Sequence, residues 1–209
     1  MRGTTKLEFR ACTSSENPYT EDDASWTGAI NTYTSNDVYA SVTLQNSNGT
    51  YSDMLRFYNI SAAQLALIPD LSNLVRITVV MEAKGDAISP PRWYGTPSRV
   101  ELWLDDVYGD DGKAGLDDTT LNATEKLYAT SGVGELWGSG FTVGSDIKIN
   151  TFGFQTSLCA HGGGGAGVAY VDYAYILVDW AMPTTPGSAW RYRNRPPLKR
   201  NPARLGGYN

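Results

Sequence analysis

The only histidine of this chain and its two cysteines are the side chains best suited to nucleophilic catalysis. His161 follows Cys159 by two positions, and alternate residues of a β-strand point to the same side, so the two side chains could meet. No G-x-S-x-G elbow or other third member of a catalytic set accompanies the pair. We therefore expect His161 to be a turn residue beside the glycines that follow it. We predict that the protein is not an enzyme.

The two cysteines, Cys12 and Cys159, are far apart in the sequence and fit no C-x-x-C metal or redox spacing. Free cysteine behaves as a small apolar residue and is commonly buried. We expect two buried free thiols, although the sequence leaves open whether they form a disulfide.

The glycine run at Gly162 to Gly165 has the composition of a phosphate-binding loop. A P-loop, however, ends in Lys and Ser or Thr and opens a helix, whereas the tripeptide that follows here is Ala-Gly-Val at the start of an apolar strand. We predict a turn at this position. The sequence indicates no nucleotide and no other cofactor.

A strongly acidic loop extends from Asp105 to Asp118, DDVYGDDGKAGLDD, and offers oxygen ligands of the kind that Ca²⁺ prefers. No register matches an EF-hand, because placing Gly112 at position six puts Val107 at position one, and placing Gly109 there puts Leu104 first. We expect a solvated acidic loop and assign no metal ligands. Whether this loop binds a cation stays open at this stage.

Four aromatic residues could lie exposed on a sheet face and stack against a sugar ring: Trp93, Tyr94, Trp103 and Trp137. The same residues could equally cover a sheet edge or contact another subunit. A carbohydrate-binding β-sandwich module that recognises a host-surface glycan is therefore the alternative function that the sequence allows.

The elements that must position these residues are predicted to be strands. The chain has 209 residues, is 41% hydrophobic, and is rich in Thr, Ser, Gly and aromatic residues. The run VAYVDYAYILVDW from Val168 to Trp180 contains no Gly or Pro and few charges, is apolar on both alternating faces, and predicts an interior strand, the last of the core. We expect one all-β domain, a single antiparallel β-sandwich with a jelly-roll-like arrangement of six to eight strands.

Shorter patterns predict the other strands and one helix. Asp37 to Gln45 alternates as a half-buried strand, and the Asn48-Gly49 turn predicts that Met54 to Ile60 is its hairpin partner. Leu74 to Ala83 alternates with Val75, Ile77, Val79, Met81 and Ala83 on the core side, and Val100 to Leu104 has the same character. Ser61 is placed to cap a short helix that Pro69 ends.

The charge of −5 is divided unevenly along the chain. Residues 191–209 contain six basic and no acidic residues, which leaves 11 basic against 22 acidic residues, a formal charge of −11, in residues 1–190. Five prolines in residues 181–209 prevent this segment from building a core of its own. We therefore predict a body at 1–180, with N-terminal strand and loops at 1–36, and an extended basic C-terminal arm at 181–209.

The arm is where we expect partners to bind. Arginine forms forked hydrogen bonds with carboxylates, and aromatic side chains supply buried anchors at interfaces. The predicted partner-binding residues are Trp190, Arg191, Tyr192, Arg193, Arg195, Lys199, Arg200, Arg204 and Tyr208. The acidic body would be repelled by a polyanion, so we expect protein partners rather than nucleic acid, and no apolar run indicates a membrane segment.

The order of motifs resembles a β-sandwich found in virion structural proteins of tailed bacteriophages. The resemblance rests on ENPYTEDDASW, NDVYASVTL, LRFYNI, LIPDLSNLVRITVVMEA, SRVELWLDD, ELWG with IN-x-F-G-F, and VAYVDYAYILVDW, within residues 16–180. It implies a non-enzymatic structural subunit: a capsid decoration, head-attached or tail component that is repeated in the particle. Since residues 1–16 show no signal-peptide pattern, we expect synthesis in the host bacterial cytoplasm and a final location in the virion.

Overall fold

A computed structural model describes residues 1–16, 24–32, 35–45, 50–86, 89–93, 100–104, 107–108, 119–130, 136–137, 140–149, 152–160 and 166–184. Side chains are described at these positions except 103–104 and 107–108, where the description is limited to the backbone. Within these ranges the chain is all-β and its sheets are antiparallel, as the sequence predicts.

The described residues form twelve strands, several of them short. They are β1 (Arg2–Glu8), β2 (Ala11–Ser15), β3 (Ala40–Leu44), β4 (Met54–Tyr58), β5 (Asn73–Gly85), β6 (Arg92–Trp93), β7 (Val100–Leu104), β8 (Val107–Tyr108), β9 (Thr119–Thr120), β10 (Lys126–Ala129), β11 (Gly153–Thr156) and β12 (Gly167–Ala181). The expected six to eight strands are exceeded because three strands, β6, β8 and β9, have only two residues and no sequence signal of their own, and because the N-terminal segment forms two strands, β1 and β2.

Sheet A consists of β1, β3, β5, β10 and β12, and β12 is its centre. One edge of β12 pairs with β5 along nearly its whole length, while the other edge pairs first with β3 and then with β1. Both edges of β12 are therefore hydrogen-bonded to neighbouring strands, as an interior position in the sheet requires. The prediction of an interior strand at this position is confirmed, and the strand extends one residue past Trp180, to Ala181.

A bulge at Asp172 changes which alternate residues of β12 face the core. Its pairing with β5 shifts between Val171 and Tyr173, so the buried positions are Ala169 and Val171 before the bulge and Ala174, Ile176 and Val178 after it. The uninterrupted alternation predicted from the sequence is therefore wrong for this strand, because one extra residue reverses the parity.

The same correction applies to β5 near its start. Pairing shifts again between Asp179 and Trp180, so that Leu74 is buried and Val75 is exposed. The sequence placed Val75 on the core side. Ile77, Val79, Met81 and Ala83 do face the core as predicted.

Sheet B contains β2, β4, β11, β7 and β8, in that order. Leu55 and Phe57 of β4 are buried as predicted, but β4 pairs with β2 and β11 and not with β3. The predicted hairpin between β3 and β4 is wrong because β3 joins β12 in the other sheet. The Asn48-Gly49 turn lies outside the described residues.

One short helix and two 3-10 turns complete the described elements. The helix α1 (Ala62–Leu65) begins at Ser61, whose hydroxyl accepts the backbone N–H of Gln64, as a cap residue should. The 3-10 turns are Ala29–Thr32 and Gly144–Ile147. In the sequence, Ile147 and Ile149 on one parity and Phe152 and Phe154 on the other predict a strand from Asp146 to Leu158 with a bulge near residues 150–151. The structure places Asp146 and Ile147 in the second 3-10 turn, and the strand is limited to β11. The bulge expected near residues 150–151 lies outside the described residues.

The core joins side chains from both sheets in one apolar cluster. Phe57 and Phe154 stack with ring centroids 4.5 Å apart, and Phe9, between β1 and β2, packs its edge against Phe154. Leu7 and Ile176 from sheet A belong to the same cluster. This shared burial is the main source of stability for a domain of this kind.

Candidate functional site

The predicted arm begins at the end of sheet A where both described ends of the chain meet. Arg2 pairs with Ala181, and the N–H of Met182 donates to the carbonyl of Met1 at 2.8 Å. Beyond residue 184 the predicted partner-binding residues, Trp190, Arg191, Tyr192, Arg193, Arg195, Lys199, Arg200, Arg204 and Tyr208, lie outside the described residues. Their interactions stay predictions.

The cysteines are buried and free, as the sequence predicts. The Sγ of Cys159 donates to the carbonyl of Arg92 at 3.5 Å, and burial raises the pKa of the Cys12 thiol to about 12. Because the thiolate is the nucleophilic form, Cys12 is chemically inert at neutral pH. His161 and the four glycines lie outside the described residues, so the turn expected at these positions stays a prediction.

Two of the four aromatic residues considered for sugar stacking are core residues, which corrects the expectation that they are exposed. Trp93 is 1% exposed and its indole N–H donates to Thr156 Oγ1 at 2.8 Å. Trp137 is 4% exposed and donates to the carbonyl of Ile77 at 2.7 Å. Both indoles therefore have structural partners. Tyr94 and the side chain of Trp103 lie outside the described residues.

Three hydrogen-bonded polar side chains form a ladder across sheet B, and two of them are buried: Gln155 is 0% exposed and Glu101 is 1% exposed. Arg56 Nε donates to Gln155 Oε1 at 2.8 Å, and Gln155 Nε2 donates to Glu101 Oε2 at 2.7 Å. The three residues are paired across β4, β11 and β7, so the ladder fixes the register of those strands. A buried network with satisfied partners is what a structural role requires.

Three carboxylates from distant segments converge beside the β12 bulge. Asp37, Glu125 and Asp172 each offer an oxygen within 4.8 Å of the others. Glu125 accepts a hydrogen bond from the Tyr39 hydroxyl at 2.5 Å and lies 3.8 Å from Lys84 Nζ. The sequence did not predict this cluster, since its members are separated by 88 and 47 positions.

Protein groups already neutralise or solvate much of this carboxylate cluster. Asp172 accepts the N–H of Asn36, and the Tyr39 hydroxyl reaches both Asp37 and Glu125. Its hydrogen bond to Glu125 raises the pKa of Tyr39 above its ordinary value, so the phenol remains protonated as a donor. The arrangement joins the loop before β3 to β12 and the start of β10. The predicted acidic loop, at Asp105 to Asp118, lies outside the described residues except for the backbone of residues 107–108.

The side of sheet A that faces away from the core cluster, which we call the outer face, carries both apolar and charged side chains. Its apolar members are Val80, Leu127, Ala129, Tyr173, Tyr175 and Leu177; its charged members are Lys6, Glu8, Arg76, Glu82 and Asp179. Lys6 lies over both tyrosine rings, 5.0 Å from Tyr173 and 4.4 Å from Tyr175. Leu127 is 56% exposed, which is unusual for a leucine in a strand.

Comparison with known proteins found no protein-family model and no curated protein that matches this chain. None of the helices in the described part of the chain has the length and apolar character needed to cross a membrane.

Proposed function

We propose that this protein is a non-enzymatic structural subunit of a tailed-phage virion, a capsid decoration or head/tail accessory protein that attaches to neighbouring capsid or tail subunits through its basic C-terminal arm. The observation that carries the proposal is the division of charge between a body of −11 and an arm of +6. Opposite charges on two parts of one subunit favour association with neighbours whose surfaces are acidic.

The position of the arm supports this role. The described core is built from residues that precede Met182, with Leu7 near one end of the chain and Val178 near the other. The arm therefore leaves a body that already has a core, from the sheet end where Ala181 pairs with Arg2. We propose that the two five-stranded sheets form a jelly-roll-like β-sandwich and that the arm extends from it.

The chemistry of the arm suits a protein surface. Arginine can hold a carboxylate with two parallel hydrogen bonds, and its planar group loses less freedom than lysine on binding. Trp190, Tyr192 and Tyr208 can fill apolar pockets on the same neighbour. The resemblance to phage virion β-sandwiches supplies the kind of assembly, made in the host bacterial cytoplasm.

The test is incorporation into particles grown on a host that expresses a tagged variant. A chain that stops at Pro183 should fold, with an unchanged circular dichroism spectrum, and be absent from purified particles. The matched control keeps the arm length but replaces its six basic residues by Gln, which separates the contribution of charge from that of chain. Normal incorporation of both variants would exclude arm-mediated attachment.

The glycan-binding alternative has less support, because Trp93 and Trp137 are buried and hydrogen-bonded. It predicts that the full chain binds defined sugars on a glycan array and that Trp103→Ala removes the signal. A silent array, together with arm-dependent incorporation, would favour the structural role.

A further inference from the structure

The outer face of sheet A is organised in rows by the strand register. One row contains Val80, Tyr175 and Glu8, and the next contains Thr78, Leu177 and Lys6. Beyond the Val80 row, two residues along β5, Glu82 pairs with Tyr173. Beyond the Thr78 row, two residues in the opposite direction, Arg76 pairs with Asp179. Glu82 and Arg76, of opposite charge, therefore lie at equal distances on either side of these two central rows, which also contain Glu8 and Lys6, an ion pair at 2.8 Å within the chain.

We propose that the outer face binds the outer face of a second copy of this chain in a symmetric dimer. The two-fold axis lies in the plane of the interface and crosses the strands between the Val80 row and the Thr78 row. Each strand then faces its own counterpart in the opposite direction, as in two aligned sheets packed about 10 Å apart.

This symmetry matches unlike groups along β5 and β1. Glu82 of one copy faces Arg76 of the other, and Lys6 of one copy faces Glu8 of the other, each pair occurring twice. The side chain of Arg76 is 61% exposed, so a carboxylate of a second copy can reach it. Within its own chain Arg76 forms an ion pair with Asp179 at 2.7 Å. The dimer extends that pair into a network of alternating charges.

The apolar groups follow the same symmetry on β12. Tyr175 of one copy faces Leu177 of the other, and the ring of Tyr173, whose hydroxyl donates to Glu8 of its own chain at 2.6 Å, faces the Asp179 row. A two-fold axis that ran along β5 instead would place Glu82 against Glu82 and Arg76 against Arg76. Because like charges in contact are costly, the charge pattern favours the axis across the strands over that one.

The dimer is independent of the virion proposal, since it involves the body and not the arm. Sedimentation velocity of the full chain over a concentration series measures it directly. We expect Glu82→Arg alone and Arg76→Glu alone to weaken dimerisation about tenfold or more, because each variant places like charges across the axis. An equimolar mixture of the two variants should recover the wild-type affinity, since every contact in the mixed dimer then joins opposite charges.

Leu177→Asp provides a second test that does not depend on Arg76→Glu folding beside Asp179. It should weaken the dimer at least as strongly, whereas Leu67→Asp, at a 63% exposed leucine that follows α1, should leave it unchanged. A wild-type chain that stays monomeric throughout the series would overturn the proposal. A dimer that is insensitive to Leu177→Asp, or a mixture of charge variants that stays dissociated, would overturn it as well.

Discussion

Asp172 accepts the backbone N–H of Asn36 with both carboxylate oxygens, at 3.1 and 3.3 Å, across 136 positions of sequence. Asp172 is the extra residue of the β12 bulge and is 1% exposed. Burying a carboxylate is costly unless donors surround it. The bulge therefore turns a charged side chain toward the segment before β3 and ties that segment to the central strand.

Asp172→Ala should destabilise the fold by about 2 kcal/mol, because it removes the charged acceptor that holds the backbone N–H of Asn36. Asp172→Asn should cost less, since its amide oxygen still accepts one hydrogen bond. Urea unfolding followed by tryptophan fluorescence gives both free energies. Asp37→Asn serves as the control, because Asp37 is an exposed member of the same carboxylate cluster. Equal, small losses for all three variants would show that the bulge contact contributes little.

Sequence periodicity predicted the strands well where pairing is regular and failed where a bulge intervenes. Ile176 and Val178 are apolar and buried in the core cluster, and this one-sided burial is visible in the sequence as alternation. A bulge adds one residue without changing composition, so alternation alone does not reveal that Val171 and Ala174 face the same side. The partner of β3 was mispredicted for a related reason, since a turn signal is local and sheet membership is not.

The carboxylate cluster could not have been predicted, because no spacing rule connects Asp37, Glu125 and Asp172. Asp37 precedes β3, Glu125 precedes β10 and Asp172 lies in β12. The pairing of β3 with β12, and of β5 with both β10 and β12, brings them together. The C-terminal arm, in contrast, is predicted from composition alone. Its composition is informative without any structure, because proline content and charge act through the chain itself.

Gly153→Ala should cost about 3 kcal/mol or more, because a Cβ at this position would lie 2.0 Å from the carbonyl oxygen of Phe57. Sheet B is continuous here, so β11 has no room to move away from β4. The comparison variant is Gly140→Ala, where a Cβ meets nothing within 4 Å and the cost is limited to the positive φ of 74°, about 1–2 kcal/mol. Thermal unfolding by calorimetry measures the difference, and a milder effect at Gly153 than at Gly140 would contradict the packing argument.

Asp146 should make the fold more stable at neutral than at acid pH. Its carboxylate accepts the N–H groups of Val143 and Thr142, which hold its pKa below the ordinary value. A lowered pKa in the folded state means that the stabilisation is present above the ordinary carboxyl pKa and disappears as pH falls through the folded value. Asp146→Asn should therefore be less stable by about 1 kcal/mol at neutral pH and equal to wild type at strongly acid pH. A difference that stays constant with pH would assign the loss to packing.

Attachment through the arm should depend on arginine geometry as well as on charge. Lysine keeps the positive charge but lacks the planar fork, so replacing the arginines by lysine separates the two contributions. The residues to change are Arg191, Arg193, Arg195, Arg200 and Arg204. The measurement is the fraction of protein that sediments with particles as salt concentration rises. We expect the lysine variant to detach at lower salt than wild type, and the variant with all six basic residues changed to glutamine to stay unattached even at low salt, since screening weakens exposed ion pairs. If the lysine variant followed the wild-type curve, the arm would act through net charge alone, and the neighbour would present a diffuse acidic surface rather than carboxylates placed for forked contacts.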